Sequence, residues 1–238
     1  MNILSYPSPK EVAQKLAERI AEEVEKKPVY HLAITGGEDA PMVYQALAAA
    51  NINWQKVRLY FVSEVISGRQ AGINYDVARH HLITKVPIRE EQVYRIPIDA
   101  DSAAQAAQSY QQQVTGEVPL LNGYPLFDAV LLALHEDGHV AEIHPGQEEL
   151  YYKEDVYLVN RRPESGEETV TLSFQALSEV KKIFLYAFGD DIRFVIGNMV
   201  NLMPEAKAYP ANVLTALNPW STLYADAAAM REKSYAIY

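Results

Sequence analysis

Four apolar runs decide what class of fold this chain can adopt. Residues 29–35, 57–62, 127–134 and 183–188 are almost continuously apolar. A strand with one wet face alternates apolar and polar residues, whereas a strand covered on both faces does not. Amphipathic stretches separate the runs. In the first, Val12, Leu16, Ile20 and Val24 recur every fourth residue and fall on one helical face. Buried strands alternating with amphipathic helices predict an α/β fold, doubly wound, with a mostly parallel sheet and helices on both faces.

Local signals fill in the order. Ser8-Pro9-Lys10-Glu11 reads as a helix start, with Ser8 as cap, Pro9 at the first helical position and Glu11 closing a capping box. Further helices are expected at 39–50, near 75–85, at 101–114 with Asp101 as cap, and at 191–200, 211–217 and 225–233. Residues 156–159 and 170–172 are short strand candidates. No repeat or linker-like shift in composition interrupts the sequence, so one domain over residues 1–238 is expected.

Composition excludes several functions. There are no cysteines, hence no thiol catalysis and no cysteine-ligated zinc. The net charge of −10 opposes nucleic-acid binding, which needs clustered Lys and Arg. No apolar run approaches the roughly 20 residues that cross a bilayer. The N-terminus lacks the pattern of a signal peptide, so a cytoplasmic location is expected. The sequence leaves the oligomeric state open.

In doubly wound folds ligands bind beyond the carboxyl ends of the strands. Three segments fall there: 35–40, 63–75 and 135–146. The first holds Gly36 and Gly37 at a strand-to-helix turn, where backbone N–H groups can face an anion. Glu38 and Asp39 weigh against that reading, because Asp39 is placed to cap the next helix. In the second, Glu64 follows a buried strand, a usual place for a site carboxylate, although a solvated loop acid is the default for such a residue. Asn74 and Tyr75 follow it. The third holds His135, Glu136, Asp137, Gly138 and His139, with Glu142 and His144 behind them. Histidine suits base catalysis near neutral pH, and Asp137 can orient an imidazole. The letters also match the zinc motif H-E-x-x-H, but that motif needs a helix, and Asp137-Gly138 signals a turn.

Taken in order, these segments resemble the family of 6-phosphogluconolactonases and glucosamine-6-phosphate deaminases. The lactonase signature Gly-x-Gly-Glu-Asp-Gly-His-x-Ala-x-x-x-Pro-Gly is matched over 133–146, which keeps Glu136, Asp137, Gly138, His139, Ala141, Pro145 and Gly146. Weaker matches are Thr35 to Ala40 for a Ser-Gly-Gly-Ser-Thr-Pro loop, Ser63-Glu64-Val65 for Asp-Glu-Arg, Ile73-Asn74-Tyr75 for Ser-Asn-Tyr, and Thr169-Val170-Thr171-Leu172 for Arg-x-Thr-Leu. The resemblance implies a sugar-lactone hydrolase of carbohydrate metabolism. His139 would activate water, Asp137 would assist, and no metal or organic cofactor would be needed. Glu136 belongs to the same catalytic block. Gly36, Gly37, Glu64, Asn74, Gly138, His135 and Arg193 would contact a sugar lactone or sugar phosphate.

The departures define the alternatives. The deaminase carboxylates are replaced by Ser63 and His144, which disfavours that branch. The family's phosphate-holding positions are Glu38-Asp39, Val65, Thr169 and Ile192 here. Arg193 and Arg69 are the candidate substitutes. Arg161-Arg162 reads as a solvated loop. A non-catalytic sugar-binding or regulatory member of the family therefore stands beside the hydrolase reading.

Overall fold

The computed structural model describes residues 1–231. Helix α1 (Pro9–Glu25) starts as its sequence predicts. Ser8 Oγ accepts the Glu11 N–H at 3.3 Å, and Val12, Leu16, Ile20 and Val24 are fully buried. Among the described residues, twelve strands follow in chain order as β1 (Asn2–Tyr6), β2 (Tyr30–Ile34), β3 (Val57–Phe61), β4 (Ser63–Val65), β5 (Val93–Tyr94), β6 (Leu120–Leu121), β7 (Tyr124–Pro125), β8 (Ala129–Ala133), β9 (Tyr157–Arg161), β10 (Glu168–Leu172), β11 (Ile183–Ala187) and β12 (Thr222–Asp226). The remaining helices are α2 (Ala40–Ala49), α3 (Ile73–His81), α4 (Ala103–Glu117), α5 (Phe174–Ser178), α6 (Arg193–Val200) and α7 (Pro210–Leu217).

Seven strands form one wholly parallel sheet in the order β1-β12-β11-β8-β2-β3-β5. The doubly wound α/β expectation is met. A second, antiparallel sheet runs β4-β10-β9, and β6 and β7 make a small hairpin. The four apolar runs became β2, β3, β8 and β11, all near the middle of the large sheet.

The differences from the sequence reading have local causes. Residues 225–233 do not begin a helix. Ala225 and Asp226 end strand β12, which pairs with β1 on one side and β11 on the other, and a turn follows; residues 232 and 233 lie outside the described residues. Backbone pairing on both edges outweighs the helix preference of the alanines there. Helix α4 is capped by Ser102, whose Oγ accepts the Gln105 N–H, and not by Asp101. Asp39 makes no side-chain cap on α2. Strands β1, β4 and β5 carried no apolar run and were not expected.

The topology reverses between β2 and β8. From β2 the chain winds outward through β3 to β5, then returns to β8 on the other side of β2. The loops leaving the carboxyl ends of β2 and β8 thus diverge and leave a crevice. At the opposite, amino ends of the same two strands sits Asp128, 4% exposed. Its Oδ2 accepts the His31 N–H of β2 at 2.9 Å, while Oδ1 accepts Lys181 at 2.7 Å and Lys27 as well. Burial opposes ionisation of Asp128, but the bonds from Lys181 and Lys27 outweigh it and hold the carboxyl below the usual carboxylate range.

Asp128→Ala should destabilise the fold by about 2 kcal/mol in urea titrations, a buried-ion-pair effect discounted for the exposure of both lysines. A depressed carboxyl stabilises above its unfolded pKa and loses that contribution as pH falls through its folded one. The stability gap between wild type and variant should therefore close under acid and stay constant above pH 5.

Candidate functional site

Two loops build the crevice floor. After β2 the chain turns through Thr35, Gly36 and Gly37 into α2. Gly36 has no room for a side chain, since a Cβ there would lie 1.9 Å from Asn74 Oδ1. Asn74 is itself pinned, its Nδ2 donating to Ser63 O at 2.9 Å and to Ser63 Oγ at 3.3 Å. After β8 the chain turns through residues 135–139. Gly138 takes φ +83°, and a Cβ on it would strike the Tyr209 ring. A side chain is thus disfavoured at Gly138 both by conformation and by contact.

This turn stacks three imidazoles. The His135 and His139 rings are 3.9 Å apart and nearly parallel, and His144 lies 4.2 Å from His139 on its other face. Asp137 Oδ1 sits 2.7 Å from His139 Nδ1 and also accepts the His139 backbone N–H at 2.9 Å. Burial opposes the charge on Asp137, but bonds from His139 and His144 hold the carboxyl well below its usual range. A carboxylate on Nδ1 selects the tautomer that leaves Nε2 as the basic nitrogen. His135 is half-buried in the wall, and burial pushes its pKa down to about 3, which favours the neutral imidazole.

Residues 135–139 are not helical. The H-E-x-x-H match therefore does not place His135 and His139 as a helical zinc pair, and the turn signal at Asp137-Gly138 was the better guide.

The crevice is a cavity of about 780 Å³. Of the residues singled out from sequence, Gly36, Gly37, Asn74, His135 and His139 line it. Asp137 touches it through His139. Four others lie outside the wall. Glu136 is exposed. Gly138 is buried under Tyr209. Glu64 is buried and caps α3, accepting N–H groups from Val65, Asn74 and Tyr75 at 2.8–2.9 Å. Burial pushes the Glu64 carboxyl up to about 7 against those three donors. Glu64 is thus not a solvated loop acid, and it does not line the crevice. Arg193 lies elsewhere, paired with Asp190 and lying over the Phe194 ring.

Two wall residues were misjudged or missed. Arg162 is not a solvated loop residue. Its guanidinium clasps Glu142 with two bonds of 2.7 and 2.8 Å and reaches Gln70 Oε1 at 2.6 Å. Glu142 is largely buried; burial opposes its charge, but Arg162 holds its carboxyl below the usual range. The pair spans twenty residues and left no local spacing signal. Arg161, next door, does face solvent and pairs with Glu168. The wall carries four carboxylates, Glu38, Glu142, Glu164 and Glu167, against two guanidinium groups, Arg69 and Arg162. Asp39 stands near the mouth, its carboxyl raised by burial and by Glu38, Asp226 and Glu136.

Known proteins share this architecture. Residues 7–221 match the family model described as glucosamine-6-phosphate isomerases/6-phosphogluconolactonase. A 6-phosphogluconolactonase of Haemophilus influenzae is 22% identical over 236 residues, covering 97% of this chain and 99% of its own. The crystal structure of a devB protein superposes with a TM-score of 0.87 at 24% identity, covering 96% of this chain and 97% of that one. The 6-phosphogluconolactonase of Trypanosoma cruzi gives 0.82 at 20% identity, covering 98% and 97%. None of the described helices is long and apolar enough to cross a membrane. The match to the family model extends from α1 to the residue before β12, taking in both crevice loops, and the chain belongs to the glucosamine-6-phosphate isomerase/6-phosphogluconolactonase family.

Proposed function

We propose that the chain hydrolyses a sugar lactone, with His139 as the general base and Asp137 as its orienting partner. The observation that carries this reading is the 2.7 Å contact between Asp137 Oδ1 and His139 Nδ1 on the wall of the crevice. A lactone is an activated ester, so one well-placed base can suffice. His139 Nε2 takes a proton from water as the water oxygen bonds to the lactone carbonyl carbon. The tetrahedral intermediate then collapses, the ring C–O bond breaks, and the alkoxide leaving group receives the proton back from the imidazolium. Asp137 stabilises that imidazolium throughout. Gly36, Gly37, Asn74 and His135 form the surface against which the sugar rests.

The favoured substrate is a lactone without a phosphate group. Arg162 is already neutralised by Glu142, and Glu167 Oε2 lies 3.7 Å from it. Among the described residues of the wall, only Arg69 then remains to offset Glu38 and Glu164. A dianion in that wall meets like charge. The relatives named above as 6-phosphogluconolactonases supply the reaction class. The charge of this crevice argues for a different substrate charge. The same carboxylates also favour a second reading, a sugar-binding member without catalysis, which the assay below separates from the first.

Two outcomes are expected from initial-rate assays corrected for spontaneous hydrolysis. His139→Ala should lower the rate on gluconolactone by about 10²–10⁴-fold, with circular dichroism unchanged. The wild type should show kcat/KM about tenfold or more higher on gluconolactone than on its 6-phosphate. A rate on both lactones that does not depend on His139 would leave the binding reading. A preference for the phosphorylated lactone would overturn the substrate assignment.

A further inference from the structure

The stretch after the signature turn does something its sequence does not announce. Ala141 and Glu142 both adopt left-handed backbone, φ 53° and 56°. Such conformations are uncommon outside glycine and cost energy that the surrounding structure must offset. Here the Glu142–Arg162 pair and the bond from Asn160 Nδ2 to Glu142 O at 2.5 Å hold the segment in place. The result is a reversal, closed by a bridge between Val140 and Ile143, that brings His144 back beside His139.

Three donor residues then converge. Asp137 Oδ1 is 2.7 Å from His139 Nδ1, and Asp137 Oδ2 is 3.5 Å from His144 Nδ1. Asp137, His139 and His144 each present one ligand atom within 4.8 Å of the other two. Metal–ligand distances of about 2.0–2.1 Å in tetrahedral geometry put ligand atoms about 3.3 Å apart, so small side-chain shifts would close the set. The His144 ring is largely buried, and its Nε2 has no hydrogen-bond partner. Glu142 Oε2 stands 4.0 Å from that nitrogen, too far for a hydrogen bond. His144 thus has Asp137 as its partner at Nδ1 and none at Nε2.

We propose that Asp137, His139 and His144 bind one divalent transition-metal ion of the Zn²⁺ class. Two imidazoles and a carboxylate suit Zn²⁺, Co²⁺ or Ni²⁺ and not the all-oxygen preference of Mg²⁺ or Ca²⁺. Asp137 is already oriented by the His139 backbone N–H, which fixes one ligand before the ion arrives. The ligand set is Asp-x-His-x4-His and differs from the helical His135/His139 pair that the letters H-E-x-x-H invite. The site does not depend on the hydrolase reading; it shares Asp137 and His139 with it, and an ion held on His139 Nδ1 displaces the proton which that reading places there.

Chelator-stripped protein titrated with Co²⁺ tests the proposal without an activity assay. Wild type should take up one equivalent with visible d–d absorption, and Zn²⁺ should displace it. His144→Ala and, separately, Asp137→Asn should each weaken Co²⁺ binding by at least about tenfold, the order that loss of one metal ligand implies. Near-ultraviolet circular dichroism checks that each variant is folded, and one folded variant of the two suffices. A double His80→Ala/His81→Ala variant, altering a neighbouring histidine pair on α3, should bind as wild type does. No saturable Co²⁺ uptake overturns the proposal. So does uptake unchanged in a folded His144 or Asp137 variant, or lost in the His80/His81 variant.

Discussion

The pairing of β2 with β8 is the constraint on which the rest depends. These two strands are adjacent in the sheet but far apart in sequence, with β3 and β5 made between them. Long-range parallel pairing brings no local reward, so something must fix its register. Asp128 does this at the amino end, reading the His31 N–H while two lysines answer its charge. At the carboxyl end the same pairing sets Gly36 and Gly37 beside His135 and His139. A slip between β2 and β8 would separate the glycine turn from the histidine turn. The crevice is thus a consequence of strand order, and Asp128 supports it from the far side of the sheet.

Within the crevice, charge is arranged in two tiers. Three acids are individually matched: the buried Glu64 by three backbone N–H groups, the largely buried Glu142 by Arg162, and the half-exposed Asp137 by His139 and His144. Acids at the mouth are not matched in this way: burial, and then Glu38, Asp226 and Glu136, raise the Asp39 carboxyl. The matched tier fixes geometry, because an uncompensated charge there would be costly. The unmatched tier gives the mouth its negative charge. Glu38 lines that mouth, with Asp39 beside it in the same loop.

Much of the fold could be read from residue patterns, and the reasons for the failures are physical. The central strands announced themselves because burial on both faces forces continuous apolar runs. Strand β12 hid because Ala225 looks the same at a strand end as at a helix start; its identity comes from neighbours on both sides. Strand β1 hid because an edge strand, here with Asn2 and Ser5, needs no apolar run. The histidine turn was legible as chemistry through Asp137-Gly138 and the spacing of its imidazoles. Glu64 was ambiguous because its role depends on backbone N–H groups ten residues on. Arg162 was misplaced because its partner, Glu142, lies in another loop. Local pattern carries the elements, and tertiary pairing decides which charged side chains face the crevice.

The central claim is that Asp137 holds His139 as a base in a crevice that accepts a sugar lactone. Long-range ¹H–¹⁵N spectra of the metal-free protein, recorded with and without gluconate as the hydrolysis product, test it most directly. The account predicts a proton on His139 Nδ1, a bare Nε2, and a shift of the Nε2 resonance when gluconate is added. A proton on Nε2 in the free protein, or His139 signals that gluconate leaves unmoved at saturation, would contradict it.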